Sequence, residues 1–179
     1  VMAVHFDGKS LQTEELHRFP NTPVTIHGTL YWNILQLWQN ILSGVEKGKT
    51  YKPLSMGVDT WGVDFALLDN QDALLGNPLH YRNFSSESLM ENVFKHIPKA
   101  QVFEKTGIQF IPINTIYQLR SLVDQQAARL PAASTFLTIP DLLNFWLTGK
   151  KVCEFSNATT TQLYNPVTKN WDFELLETL

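Results

Sequence analysis

From Tyr31 to Val45 the apolar residues Tyr31, Leu35, Trp38, Leu42 and Val45 recur at intervals of four, three, four and three, with Ile34 and Ile41 beside them. That period belongs to an α-helix with one apolar face, and such a face must be buried against another apolar layer. The next apolar run, Leu54-Ser55-Met56-Gly57-Val58-Asp59, is short and glycine-bounded after Pro53. It predicts an interior strand whose last residues reach a sheet edge.

The remaining pattern extends this layering. Val1 to Phe6 and Leu11 to Phe19 flank Asp7-Gly8-Lys9 and predict a hairpin, ended by Pro20 and Pro23. Val63 to Leu68 and Leu74 to Tyr81 flank Asp69-Asn70-Gln71-Asp72 and predict a second hairpin. Helices are expected over 86–105, broken at Pro98, and from Asn114 to Leu130. Phe136 to Ile139 predicts a brief strand, leading into a helix with Pro140 in its first turn and Gly149 at its end. Thr159 to Tyr164 predicts a last, threonine-rich strand, and Asp172 to Leu179 has a helical pattern. Antiparallel hairpins interleaved with helices predict an α/β fold, a mixed sheet with helices on its faces.

Composition narrows the function classes. At 179 residues, 44% hydrophobic and 17% charged, the chain can bury a core of ordinary size as one domain. A net charge of -3, without a basic block, argues against nucleic acid as a partner. No apolar run approaches the roughly 20 residues of a membrane span, and no export signal opens the chain, so a cytoplasmic protein is expected. Cys153 is the single cysteine and cannot form an internal disulfide; a small buried hydrophobe is the plainer expectation for it. The apolar start at Val1 and the open helical pattern at Leu179 suggest a segment of a longer protein.

Several motifs fail on spacing. Gly44-Val45-Glu46-Lys47-Gly48-Lys49-Thr50 leaves three residues where a phosphate-binding P-loop has four, and it follows a helical pattern instead of a strand. His5, His17, His27, His80 and His96 have no metal-ligand spacing. Two clusters hold up better. Asp59 and Asp64 bracket Thr60-Trp61-Gly62-Val63 where a strand is expected to end, the position at which α/β sheets place ligands. Gly62 would let a hydroxylated ligand approach the backbone, Trp61 offers a sugar ring an apolar face, and a carboxylate accepts hydroxyl hydrogen bonds. A plainer account, with Gly62 in a turn and Trp61 in the core, stays open. In the second cluster Asn114 stands at a helix N-cap position with Tyr117 and Gln118 in the first turn, facing either a ligand or water.

Six blocks carry a resemblance that covers nearly the whole chain in order. They are Gly57 to Phe65, Leu79-His80-Tyr81-Arg82, Thr106 to Phe110, Asn114 to Leu119, Ile139 to Leu143, and Asn157-Ala158-Thr159-Thr160-Thr161-Gln162-Leu163. Together they resemble the N-terminal lobe of the FGGY carbohydrate kinases. The Asp59–Asp64 and Asn157–Gln162 runs are most similar to the branch acting on L-rhamnulose.

The resemblance implies an actin-like, ribonuclease-H-like fold and two lobes meeting around sugar and nucleotide. The implied activity is transfer of the γ-phosphoryl group of ATP, with Mg²⁺, to the 1-hydroxyl of a small ketose. It places the catalytic base in the second lobe and the phosphate-binding turn ahead of Val1. Residues 1–179 are therefore expected to be a sugar-binding lobe, incomplete at both ends, without the ATP-binding lobe, with no catalytic residue and inactive alone. Neither Asp59 nor Asp64 is assigned as the base. By match Gly62 corresponds to a sugar-contacting glycine, with Trp61, Asp64 and Tyr117 as weaker neighbours on the same wall. The family usually follows Tyr-Arg with Asp, a variable residue and Arg, whereas Asn83-Phe84-Ser85 stands here, so a carboxylate–guanidinium brace is lost. The alternatives are a kinase for another ketose, pentulose or deoxy-ketose, and a sugar-binding or regulatory module without catalysis.

Overall fold

The computed structural model describes residues 1–179. Strands β1 (Met2–Phe6) and β2 (Leu11–Glu15) form the first hairpin, Met2 opposite Glu15 and Phe6 opposite Leu11. Asp7 closes its turn by accepting from the backbone N–H groups of Lys9 and Ser10 at 2.8 and 2.9 Å. A further hairpin, β3 (Val24–Ile26) and β4 (Thr29–Tyr31), was not anticipated. Its turn is His27-Gly28, both at positive φ, the conformation that matches the strands' twist. Tyr31, assigned by period to the helix, is the last residue of β4.

Helix α1 (Ile34–Gly48) begins where the Asn33 side chain accepts from Gln36 N–H. Ile34 is fully buried and Trp38 and Ile41 pack beside it, against Ala66, Leu68, Leu137, Ile139, Leu142 and Leu143. The expected layer beneath α1 thus exists, but it is supplied by β5 (Phe65–Leu68) and β6 (Thr135–Thr138), paired antiparallel with Phe65 opposite Thr138. The stretch expected to pair with β5, residues 74–81, makes with that strand only the Leu68–Leu74 bridge and a Leu75-to-Leu67 hydrogen bond, and pairs through Leu79 with Tyr31 of β4 instead. Pro78 has no N–H for a ladder, whereas every residue of β6 has one.

Two expected strands are absent. Residues 54–59 form no backbone–backbone hydrogen bond, and Leu54 is fully exposed. β1 pairs with β2, β3 with β4 and β5 with β6, and this run joins none of those ladders. The threonine-rich stretch is a helix, α7 (Phe155–Thr160). Glu154 caps it by accepting from Ser156 and Asn157 N–H, and Thr159, Thr160 and Thr161 donate their hydroxyls to the carbonyls three residues back. Local hydroxyl bonds override the strand preference of threonine.

The other helices are α2 (Glu87–Phe94), α3 (Lys99–Thr106), α4 (Thr115–Asp124), α5 (Arg129–Ala132), α6 (Ile139–Thr148) and α8 (Phe173–Thr178). Pro98 separates α2 from α3, and Gly149 at φ 73° closes α6. The helix expected up to Leu130 stops at Asp124, because Gln126 turns left-handed at φ 50°. A small ladder, β7 (Tyr164–Asn165) with β8 (Asn170–Trp171), precedes α8. α2, α3, α4 and α8 enclose a second core around Val93, Ile97, Val102, Ile116, Tyr117 and Leu175. Cys153, expected to be buried, is exposed.

Candidate functional site

Immediately before β5, Asp64 has no exposed surface. Its Oδ2 accepts from Trp32 Nε1 at 2.5 Å, Trp61 Nε1 at 3.1 Å and Tyr81 N–H at 3.3 Å. Its Oδ1 accepts from Gln118 Nε2 at 3.1 Å. A carboxylate has about four acceptor positions, two on each oxygen, so Oδ2 is fully engaged and Oδ1 is bound once. Burial moves its pKa upward, opposed by the hydrogen bonds from Trp32, Gln118, Trp61 and Tyr81. Buried and held by four N–H groups, Asp64 is a hub that orients the rings around it.

Around the hub stands an aromatic wall. Trp32, which follows β4, lies 4.1 Å from Trp61 and stacks on His80 at 4.0 Å with 16° between planes. Tyr81 packs on His80 at 4.5 Å, and the Arg82 guanidinium lies 5.8 Å from the Tyr81 ring centre. His80 is buried, and its Nδ1 accepts from Arg82 N–H at 3.1 Å, which fixes the neutral ring with its proton on Nε2. Burial first, and then the Arg82 charge, push the His80 pKa down.

Gly62 sits between this wall and α7. Its φ lies outside the left-handed region, and a Cβ there would meet Thr160 Oγ1 at 3.1 Å and Asn157 Oδ1 at 3.3 Å. Close packing of helix on loop therefore requires glycine at this position. The left-handed residue is its neighbour Val63, at φ 66°, an outlier for a β-branched side chain. It is held by Thr160 Oγ1, which accepts from its N–H, and by Thr115 Oγ1 and Gln118 Nε2, which donate to its carbonyl at 2.6 and 3.2 Å. Asn157 Nδ2, beside Gly62, is buried without a partner.

The structure thus brings together Trp61, Gly62 and Asp64. Tyr117, expected on the same wall, is fully buried in the second core, edge-on to Phe94 at 6.2 Å, with its hydroxyl unpartnered and its pKa raised by burial. The adjacent residue Gln118 is the one that reaches Asp64. Asn114 starts α4 but uses its side chain to bind Gln109 O and Gln162 Oε1. Trp32 was missed, since nothing in Tyr31-Trp32-Asn33 marks a site before β4 and the 78–81 segment are seen side by side. No group of three or more His, Cys, Asp or Glu side chains is disposed to hold a metal ion.

Residues 3–179 match the N-terminal domain of the FGGY family of carbohydrate kinases. The chain belongs to the FGGY family. Over its whole length it is 45% identical to a rhamnulokinase of Oceanobacillus iheyensis, and over 96% of it 43% identical to one of Halalkalibacterium halodurans. It spans 38% and 37% of those two proteins, so it corresponds to little more than a third of such an FGGY kinase. The actin-like fold is shared with solved structures at low identity. A xyloylose kinase from Brucella ovis superposes with a TM-score of 0.77 at 19% identity, covering 99% of this chain and 37% of that one. A ligand-bound xylulose kinase from Lactobacillus acidophilus gives 0.73 at 21%, covering 94% and 34%.

Proposed function

We propose that this chain is the sugar-binding lobe of a cytoplasmic kinase that transfers the γ-phosphoryl group of ATP to the 1-hydroxyl of L-rhamnulose. The identity to rhamnulokinases along the whole chain carries the reading. The partly exposed rings of Trp61 and Tyr81 support it, because an aromatic face suits the apolar face of a deoxy sugar, and the buried Trp32 and His80 back them. Trp61, Gly62, Tyr81 and the unpartnered Asn157 amide border the space proposed for the sugar, and Asp64 fixes the rings from behind. Tyr117 serves from the second core, by seating α4 and with it Gln118.

In this reading the proton of the sugar hydroxyl is taken by a carboxylate outside residues 1–179, while Asp64 stays buried and bound to the N–H groups of Trp32, Trp61, Tyr81 and Gln118. ATP and Mg²⁺ would likewise be held mainly by those other parts and would supply the phosphoryl group and its charge neutralisation. No helix of this chain is long and apolar enough to cross a membrane.

A coupled assay on the full-length protein with ATP and Mg²⁺ tests the proposal by comparing L-rhamnulose with pentuloses and other deoxy-ketoses. The expected result is the highest kcat/KM with L-rhamnulose and no turnover from residues 1–179 alone. A higher kcat/KM with a pentulose would overturn the substrate, and turnover by the isolated segment would overturn the division of labour.

A further inference from the structure

The turn carrying Tyr81 lacks the acid and base that usually follow Tyr-Arg in this family, yet it is braced. Asn83 lies on the surface, in the short 3₁₀ helix Tyr81–Phe84. Its Oδ1 accepts from Leu30 N–H at 2.9 Å and its Nδ2 donates to Leu30 O at 2.7 Å. One amide thus satisfies both backbone groups of a residue 53 positions away. The O and N of the side chain are assigned by this pairing, since a flipped amide would set donor against donor and acceptor against acceptor.

Leu30 is in β4, two residues before Trp32, and its carbonyl also accepts from His80 N–H at 3.1 Å. Trp32 N–H in turn donates to Pro78 O at 2.9 Å. The strand leading to Trp32 and the segment holding His80 and Tyr81 are thereby zipped together, with Asn83 as the last clasp. Both sides of the zip end on Asp64 Oδ2, through Trp32 Nε1 and Tyr81 N–H.

We infer that Asn83 is a positioning residue for the sugar wall, an amide clasp to Leu30 that takes the place of the ion-pair brace. It touches no reacting atom. It fixes the distance between Trp32 and Tyr81, and its role in sugar use rests on the kinase reading above. An aspartate, the usual family residue, could accept from Leu30 N–H but would set a carboxylate oxygen against Leu30 O.

The test is Asn83→Asp and Asn83→Ala in the full-length protein. Three quantities are read: KM for L-rhamnulose against KM for ATP, the thermal midpoint, and the near-ultraviolet circular dichroism of the Trp32–Trp61 contact. Both substitutions should raise the sugar KM roughly 3- to 10-fold, the size of one net hydrogen bond, with kcat and KM for ATP within twofold. The dichroism should weaken in parallel. Unchanged sugar KM and dichroism in Asn83→Asp overturn the clasp. So does a lowered midpoint with KM and dichroism intact in the folded protein, which would leave Asn83 a stabilising residue only. If the wild type phosphorylates no ketose, the kinase reading fails while the dichroism still decides the clasp.

Discussion

Gly62→Ala separates two reasons for a glycine at this position, room for helix α7 and room for a sugar. The backbone at 62 is not left-handed, so the added methyl brings no conformational strain, only contact: 3.1 Å to Thr160 Oγ1, 3.3 Å to Asn157 Oδ1 and 3.4 Å to Thr160 Cγ2. Thr160 cannot simply rotate away, because its hydroxyl donates to Asn157 O at 2.8 Å and accepts from Val63 N–H at 3.3 Å. Overpacking of this kind costs about 1–3 kcal/mol, and the narrower unfolded ensemble of alanine returns about 0.4–1 kcal/mol. The expected net loss is roughly 1 kcal/mol. Thr160→Ala removes two of the three contacts and loses about 1 kcal/mol of its own through the Val63 hydrogen bond. The double variant should then be about 1 kcal/mol more stable than the sum of the singles, read from urea unfolding followed by tryptophan fluorescence. Strictly additive losses would refute the packing argument. The sugar KM resolves the other reason: if sugar approaches Gly62, KM rises in Gly62→Ala and stays raised in the double variant, whereas pure packing restores it.

Asp64→Asn should destabilise the protein by about 1–3 kcal/mol at neutral pH, because its best rotamer turns an NH₂ against Gln118 Nε2 and leaves one buried donor unmatched. Burial raises the folded pKa of Asp64, so its proton-linked contribution is complete below the unfolded value near 3.9 and is lost as pH rises through the folded value. The wild-type advantage over Asp64→Asn should therefore narrow with rising pH, and a gap that widens in denaturation curves would refute burial as the dominant influence on Asp64, the four hydrogen bonds outweighing it. Tyr117→Phe removes a buried hydroxyl that has no partner and should leave stability unchanged or raise it by about 1 kcal/mol, with sugar KM unaffected; a large rise in KM would return Tyr117 to the sugar wall. Val63→Gly relieves about 1–2 kcal/mol of left-handed strain against about 0.5–1 kcal/mol of added chain entropy, so the thermal midpoint should hold or rise. A clear drop would mean that the Val63 side chain, not its backbone, secures the turn.

The helices were the more legible part of the fold, because their signals are local. Period and punctuation located α1, the α2–α3 break at Pro98, and α6 between Pro140 and Gly149. Strands depend on partners, which a linear pattern does not reveal. Residues 54–59 have the composition of an interior strand and join no ladder, while β5 pairs across 70 positions with β6 instead of with its sequence neighbour. At Thr159–Thr161 the residue type indicates a strand, yet the hydroxyls satisfy carbonyls three residues back and the Glu154 cap starts a helix.

At the site, residue types that act from where they stand were legible, and those that act through tertiary contact were not. Trp61 and Asp64 lie three apart and bond directly, so their block announced itself. Trp32, Gln118 and Asn83 join only because the chain brings positions 32, 64, 81 and 118 to one carboxylate and position 83 back to 30. A glycine beside a valine suggests that the glycine takes the left-handed turn, yet Val63 takes it and Gly62 does not. The reason is steric and electrostatic together. A side chain at 62 has no space against α7, whereas the strained backbone at 63 is held by three hydrogen bonds, from Thr115 and Gln118 and to Thr160. Two of those partners lie in α4, whose Gln118 also binds Asp64, so the strain at Val63 and the orientation of the aromatic wall are fixed by the same helix. A shift of α4 would release both at once, which is how a change in the second core, where Tyr117 sits, can reach the aromatic wall without touching it.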